Sequence, residues 1–167
     1  MENTKQFVIM RSFKASRDEV WDAWTKPELA KKWWGPVGFT APSMMIDFRV
    51  GGKYLYCMRG KPAPDLPIGD FWSGGKFKEI IPGKKILLTD SFMNEKGEIM
   101  KPSDYGMDPE FPIESDVSVL FEDKEDGTKL SIIYHAESDK AIEVMERVKM
   151  RDGWESSLDK LAMLLEK

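Results

Sequence analysis

The stretch that decides the fold is residues 16–36, which reads SRDEVWDAWTKPELAKKWWGP. Ser16 and Thr25 are each followed three positions later by a glutamate, and this spacing is the capping-box pattern of a helix start. A proline stands in the first turn of the second helix, where its missing N–H costs little. Gly35 and Pro36 end the pattern. The stretch therefore predicts two short helices in direct succession.

Strand patterns surround this helical pair. Residues 7–13 alternate between two partly apolar faces and predict a strand before it. Six further strands are predicted after it, over residues 44–50, 53–58, 72–81, 86–92, 116–122 and 129–135. Short turns make consecutive strands antiparallel. Ser138 then caps a long C-terminal helix, in which Gly153 allows a bend or a close backbone approach. The order predicts an α+β fold, a curved seven-stranded antiparallel sheet that grips one long helix.

Composition excludes several classes of site. The chain has 167 residues, one histidine and one cysteine, so an internal disulfide and a His/Cys zinc cluster are excluded. We expect a single domain over residues 1–167 with no cofactor and no metal. The net charge is −4 and no basic patch is concentrated, which argues against nucleic-acid binding. No apolar run of membrane-spanning length and no leader pattern is visible, so we expect a cytoplasmic protein.

Several separate segments carry a family resemblance. They are the segments WDAWTKPE (21–28), WWGP (33–36), DFRVGG (47–52), YGMDPEFP (105–112) and GWESSLDKL (153–161). Together, and in this order, they resemble bacterial homologues of the activator of the heat-shock protein 90 ATPase. Those proteins belong to the SRPBCC superfamily, which includes START lipid carriers and the birch-pollen allergen. The resemblance extends over nearly the whole chain.

The resemblance implies a helix-grip fold with the strand order 1-7-6-5-4-3-2. It also implies a cavity between the sheet and the final helix, which superfamily members use to bind apolar ligands or to act on them. The aromatic and methionine residues that strand alternation turns inward are the candidates for its walls. These ligand-binding candidates are Tyr54, Tyr56, Met58, Phe77, Phe92, Met145 and Trp154, with Trp72 and Tyr105 near the mouth. The alternative is that the same side chains fill the core.

Two charged residues are candidates for the polar part of such a cavity. Alternation places Glu79 inward beside Phe77, where an isolated charge is costly and the pKa of the carboxyl should rise. Glu79 would then act as a general acid or base, or as a ligand anchor. The alternative is a buried ion pair, for which Arg11 is the inward-facing cation.

Three other features leave two interpretations open. The loop over residues 93–114 is either a lid over the cavity, or else a surface excursion or a contact in a homodimer. Trp33 and Trp34 form either a packing plug or an exposed binding patch. Asp47 and Arg49 share a strand face and form either a structural salt bridge or a substrate clamp.

The residues favour binding over catalysis. Cys57 and His135 both alternate away from the predicted cavity, so they do not form a nucleophile–base pair, and we assign no catalytic residue. The first hypothesis is a protein that binds a small, largely apolar molecule. The second is a chaperone-associated regulator, by analogy with the ATPase activator. The third is a cyclase-like or hydrolase-like enzyme that uses a cavity carboxylate and tyrosines.

Overall fold

A computed structural model describes residues 5–166. The expectation of no leader concerns the N-terminus, and Met1–Thr4 lie outside the described residues. Seven strands form one antiparallel sheet in the order β1-β7-β6-β5-β4-β3-β2, which is the predicted order. The strands are β1 (Lys5–Phe13), β2 (Thr40–Ile46), β3 (Lys53–Gly60), β4 (Gly69–Ile81), β5 (Lys85–Met93), β6 (Ser115–Lys124) and β7 (Gly127–Ala136). The helices are α1 (Arg17–Thr25), α2 (Pro27–Ala30), α3 (Asp139–Arg147) and α4 (Met150–Leu165).

The helical pair follows β1 as predicted. The Ser16 hydroxyl accepts a hydrogen bond from the backbone N–H of Glu19, and the Glu19 carboxylate accepts one from the N–H of Ser16. The second helix begins at Pro27 without a side-chain cap, so the capping role expected of Thr25 is absent. The Thr25 hydroxyl instead donates to the Trp21 carbonyl inside α1. Only the first capping box therefore forms, and α2 is a single turn.

The turn between β2 and β3 lies nearer the N-terminus than the sequence pattern suggested. The strand predicted over residues 44–50 runs from Thr40 to Ile46, and the next residues fold into a tight turn. The N–H of Gly52 donates to the Arg49 carbonyl across this turn. A Cβ on Gly52 would lie 2.0 Å from the Asp47 carbonyl oxygen, so only glycine fits there. Asp47 and Arg49 form an exposed ion pair in this turn, at 3.0 Å.

A bulge in β4 changes which side chains face inward. Phe77 pairs with Leu88 but Glu79 pairs with Leu87, so Lys78 is an extra residue in the ladder. The extra residue reverses the alternation beyond Phe77. As a result Ile80 packs against the core, and Glu79 does not.

The C-terminal helix is interrupted, but not at Gly153. It breaks at Lys149, the single non-glycine among residues 5–166 with a positive φ, which separates α3 from α4. Gly153 lies inside α4, and nothing lies within 4 Å of the position its Cβ would take. The expected bend at Gly153 is therefore wrong, and so is the expected close backbone approach.

The main core lies between the inner face of the sheet and the helices. Leu158 and Leu161 of α4 are fully buried in one cluster with inward-facing residues of β1, β6 and β7. Those partners include Phe7, Ile9, Phe121, Leu130 and Ile132. The curved sheet wrapped on a C-terminal helix is the helix-grip arrangement that the sequence predicted.

Candidate functional site

A cavity of about 290 Å³ lies between the sheet and the first turns of α4. We call it the main cavity. Its volume is near the lower end of the range for small-molecule sites. Side chains of β3–β7, α4 and two loops form its walls. They include Trp34, Met58, Ser73, Asp90, Phe92, Met107, Phe111, Ser115, Tyr134, Met150, Gly153, Trp154 and Ser157.

Small residues of α4 leave the space that the main cavity occupies. Gly153 and Ser157 are one helical turn apart, and both line the cavity. A Cβ at Gly153 would meet no atom within 4 Å. Glycine inside a helix costs up to about 1 kcal/mol relative to alanine. Its effect here is to keep the cavity open.

A second, smaller cavity of about 40 Å³ lies deeper, and we call it the inner cavity. Its volume is close to that of about one water molecule. Four residues line both cavities and so mark the place where they meet, namely Trp34, Asp90, Tyr134 and Trp154. The inner wall is otherwise aromatic and aliphatic, with Tyr54, Tyr56 and Phe77 among its residues.

Asp90 is the charged residue at the junction of the two cavities. Burial raises the pKa of its carboxyl from 3.8 to about 6, because the charged form loses its water, while a hydrogen bond from Tyr54 acts in the opposite direction. The Tyr54 hydroxyl lies 3.1 Å from Asp90 Oδ1 and 2.6 Å from the Thr89 carbonyl oxygen. Its single proton is thus shared between two acceptors. Asp90 therefore keeps most of its capacity to accept hydrogen bonds.

Three tyrosines surround this carboxylate and stay neutral. Burial, and secondarily the charge of Asp90, raises the pKa of the hydroxyls of Tyr54, Tyr56 and Tyr134 well above the ordinary value. Trp154 Nε1 donates to the Tyr134 hydroxyl oxygen at 3.0 Å. The Tyr134 hydroxyl is therefore the acceptor in this bond. The site thus combines one carboxylate with neutral hydroxyl groups and aromatic rings.

The rim of the main cavity is held by polar contacts. Met107, Phe111 and Pro112 come from the loop between β5 and β6, which contains a short 3-10 helix at Pro102–Tyr105. Arg147 of α3 bonds Asp108 Oδ2 at 2.7 Å and so ties this loop to the helices. Part of the loop therefore lines the cavity, and its role as a lid stays a prediction.

The opposite rim is fastened to α4. The N–H of Val37 donates to the Ser156 hydroxyl at 2.6 Å, and Lys160 Nζ donates to the carbonyls of Pro36 and Phe39. Partial burial lowers the pKa of the Lys160 ammonium, because its charged form loses water. The segment that carries the cavity-lining Pro36 is therefore held in place by the same helix that forms the opposite wall.

The sequence-predicted candidates are divided between three places. Met58, Phe92 and Trp154 line the main cavity. Tyr54, Tyr56 and Phe77 line the inner cavity, and Trp154 lines this cavity as well. The others lie outside both cavities, namely Arg11, Trp72, Glu79, Tyr105 and Met145.

Glu79 is not an inward-facing residue, and that expectation is wrong. Its Oε1 lies 2.7 Å from Lys85 Nζ, and about half of its side chain (46%) is exposed. The bulge at Lys78 is the reason, since alternation from Phe77 holds only in a regular strand.

Arg11 has different partners from the one expected. It bonds Asp159 at 2.6 Å and lies 3.4 Å from Glu155, both on α4, so it is not paired with Glu79. These two contacts lie at the edge of the packed helix rather than in the cavity. Arg11 therefore fastens α4 to β1.

The remaining three candidates contact other parts of the protein and line neither cavity. Trp72 pairs with Cys57 and Met93 and lies on the outer face of the sheet, opposite to the cavity. The Tyr105 hydroxyl donates to the Met93 carbonyl, and its ring lies 5.9 Å from that of Phe92. Met145 belongs to α3 and is fully buried in the core.

Two residues of the cavity walls, Asp90 and Trp34, are absent from the candidates predicted from the sequence. Asp90 shares a strand face with Leu88 and Phe92, so the alternation of residues 86–92 contained the signal that it points inward. The sequence led to one interpretation for Trp33 and Trp34 together, but their surroundings differ. Trp33 is fully buried and donates to the Ala23 carbonyl, whereas Trp34 lines both cavities.

No cluster of three or more metal-ligating side chains is found among residues 5–166. Cys57 and His135 lie on β3 and β7, which three other strands separate. Burial raises the pKa of the Cys57 thiol, which disfavours the reactive thiolate. Within the same range, no helix is long and apolar enough to cross a membrane.

Solved structures share this fold. A protein from Mycobacterium smegmatis, Ms6760, is 20% identical with a TM-score of 0.75, and the match covers 98% of this chain and 95% of that one. A protein from Arthrobacter aurescens is 27% identical with a TM-score of 0.74, over 96% and 85%. An AHSA1-like protein from Aeromonas hydrophila is 18% identical with a TM-score of 0.63, over 97% and 92%.

The family is established by sequence. No curated protein matches the chain. Residues 14–166, however, match the protein family described as "Activator of Hsp90 ATPase homolog 1-like protein", over nearly the whole chain. The chain belongs to this family of Activator of Hsp90 ATPase homolog 1-like proteins.

Proposed function

We propose that this protein binds a small, largely apolar molecule in the main cavity. The observation that carries the proposal is the cavity of about 290 Å³, walled by tryptophan, phenylalanine and methionine side chains, with Asp90 at its inner end. Apolar walls with a few placed polar groups are typical of small-molecule sites. Methionine side chains such as Met107 and Met150 adapt to ligands of different shape.

Filling the cavity from Gly153 tests the proposal. Gly153→Leu places a branched side chain in empty space, and leucine is a better helix former than glycine. We expect the affinity for N-phenylnaphthylamine, a neutral apolar dye, to fall by about tenfold or more while the thermal midpoint stays the same or rises. Fluorescence titration and thermal unfolding measure the two effects.

Gly153→Ala is the matched control, because one methyl group improves the helix and leaves most of the cavity open. Equal dye affinity in Gly153→Leu and in the unaltered protein would contradict the proposal. Native mass spectrometry of gently purified protein adds an independent readout. Recovery of an unchanged small molecule supports binding, and its conversion during incubation would favour the enzyme alternative.

Association with a chaperone is the second candidate. The match over residues 14–166 to a family described by Hsp90 ATPase activation favours it. A pull-down with the cognate chaperone, followed by an ATPase assay, tests it directly. Retention together with faster ATP hydrolysis is the expected result, and neither effect at micromolar concentrations would exclude this function.

A further inference from the structure

Asp90 is a half-buried carboxylate in the cavity wall that lacks a cation. Among residues 5–166 no lysine or arginine side chain comes within ion-pair distance of it. In the described part of the chain, the one side-chain donor to it is the Tyr54 hydroxyl, which also lies 2.6 Å from the Thr89 carbonyl oxygen. A carboxylate has about four acceptor positions. Burying it without a cation is costly, so a ligand that supplies one would gain from the pairing.

Aromatic rings line the cavity walls around Asp90. Trp34, Tyr134 and Trp154 line both cavities together with Asp90, and Tyr56 lines the inner one. The ring centroid of Trp34 lies 4.8 Å from that of Tyr56 and 5.5 Å from that of Trp154. These rings pack edge-to-face against one another, and the ring faces that line the two cavities would attract an organic ammonium ion.

The two charged residues of the cavity wall favour one orientation of a ligand, with a cationic group at the inner end. Lys149 is the other charged residue of the lining, and it is exposed at the junction of α3 and α4. An anionic group would be repelled by Asp90 at the inner end and would be confined to the mouth beside Lys149. A cationic group would instead be attracted to the inner end, and the apolar body of the ligand would lie against Phe92, Phe111 and the methionines.

We propose that the ligand is a lipophilic amine, held as its ammonium ion by Asp90 and the rings of Trp34, Tyr56 and Trp154. This inference rests on the proposed function and names the chemical class of its ligand. The ammonium donates to the free positions of the Asp90 carboxylate, and the apolar body fills the main cavity. No bond is made or broken, and Tyr134 offers a neutral hydroxyl beside the amine.

Three probes of similar size test this on the full chain by isothermal titration calorimetry, namely naphthylethylamine, naphthylethanol and naphthylacetate. We expect the amine to bind at least about tenfold more tightly than the alcohol, with the acid weakest. Asp90→Asn should bring the amine to the affinity of the alcohol and leave the alcohol unchanged. Asp116→Asn is the matched control, since that carboxylate pairs with Lys78 outside both cavities and the preference should persist.

The pH dependence provides a readout that needs no variant. The groups that face Asp90 are Tyr54 and Tyr56 from β3, Tyr134 from β7 and the neutral indole of Trp154 from α4, while Lys149 lies at the mouth. The tyrosines stay protonated across this range because their pKa values are raised. At pH 5, about one unit below the pKa of Asp90, the amine should bind about tenfold more weakly than at neutral pH. The affinity of the alcohol should not change.

The two proposals fail in different ways. Equal binding of amine and alcohol by the unaltered protein, or tightest binding of the acid, would overturn the amine inference and leave the binding function intact. Failure of all three probes and of N-phenylnaphthylamine to bind would overturn the binding function itself. If Asp90→Asn does not fold, the amine-to-alcohol ratio and its pH dependence in the unaltered protein still decide the question.

Discussion

The two ends of helix α4 face the same sheet and yet have different surroundings. Toward the C-terminus, Leu158 and Leu161 are fully buried in a close-packed core against β1, β6 and β7. Toward the N-terminus, Gly153 and Ser157 face a cavity of about 290 Å³. The backbone of the helix is continuous through both ends, so the difference lies in the volume of the side chains.

This difference teaches how the fold separates stability from binding. The packed end of α4, which carries Leu158 and Leu161, supplies apolar burial. Apolar burial is the main favourable term in folding. The open end, which carries Gly153 and Ser157, gives up packing contacts and faces half-buried polar groups such as Asp90 of β5, which cost stability unless they are paired. Changes at the two ends should therefore have distinct effects.

The largest effect is expected at the packed end. Leu161→Ala leaves a cavity in a fully buried position and should lower the free energy of unfolding by about 2–5 kcal/mol. Urea unfolding measures it. Met163→Ala is the control on the same helix, since that side chain is 73% exposed and its removal should change little. A loss at Leu161 no larger than at Met163 would contradict the assignment of this end as the core.

A smaller, pH-dependent effect is expected at the open end. The pKa of Asp90 is raised from 3.8 to about 6, so the folded protein holds this proton more tightly than the unfolded chain does. The contribution to stability is complete below pH 3.8 and is lost as the pH rises through 6. A shift of about two units corresponds to up to about 3 kcal/mol.

Asp90→Asn removes this titration and should therefore become more stable than the unaltered protein above pH 6. The measurement is the difference in unfolding free energy between the two proteins, followed by urea unfolding from pH 4 to pH 8. We expect the difference to grow from pH 4 to about pH 6 and to level off above about pH 7. A constant difference would show that the carboxyl is solvated and would weaken the contrast between the two ends.

The smallest effect on stability is expected at the rim. Arg147→Ala removes contacts to Asp108 at 2.7 Å and Glu110 at 3.2 Å, and exposed pairs of this kind contribute less than about 1 kcal/mol. Because the pairs hold the loop that carries Phe111, the dissociation rate of N-phenylnaphthylamine should rise severalfold, as stopped-flow fluorescence would show.

Arg49→Ala is the matched control for the rim, since it breaks an exposed pair with Asp47 at 3.0 Å that lies away from the cavity. It should leave the dissociation rate unchanged. An equal rate in Arg147→Ala and in the unaltered protein would mean that the loop does not limit release of the dye, and its role as a lid would be wrong.

Much of the fold could be predicted because local patterns specify it. The capping box at Ser16 and the Ser138 cap are properties of neighbouring residues, and both form as expected. The predicted strand order is also confirmed. The predictions that were wrong depended on local irregularities. The bulge beside Phe77 moved Glu79 to the outside, and the break at Lys149 occurred where no proline or glycine marks it.

The sequence by itself determined the order of the elements and, for most strands, which faces are apolar, because both follow from periodicity and capping. Only the tertiary structure decided where the interior is filled and where it is empty. That outcome depends on which residues of α4 lie opposite the sheet, and on the docking of the loop that carries Met107 and Phe111. The alternation of residues 86–92 contained a signal for an inward-facing Asp90 that was not used, and its position between two cavities comes from contacts distant in sequence.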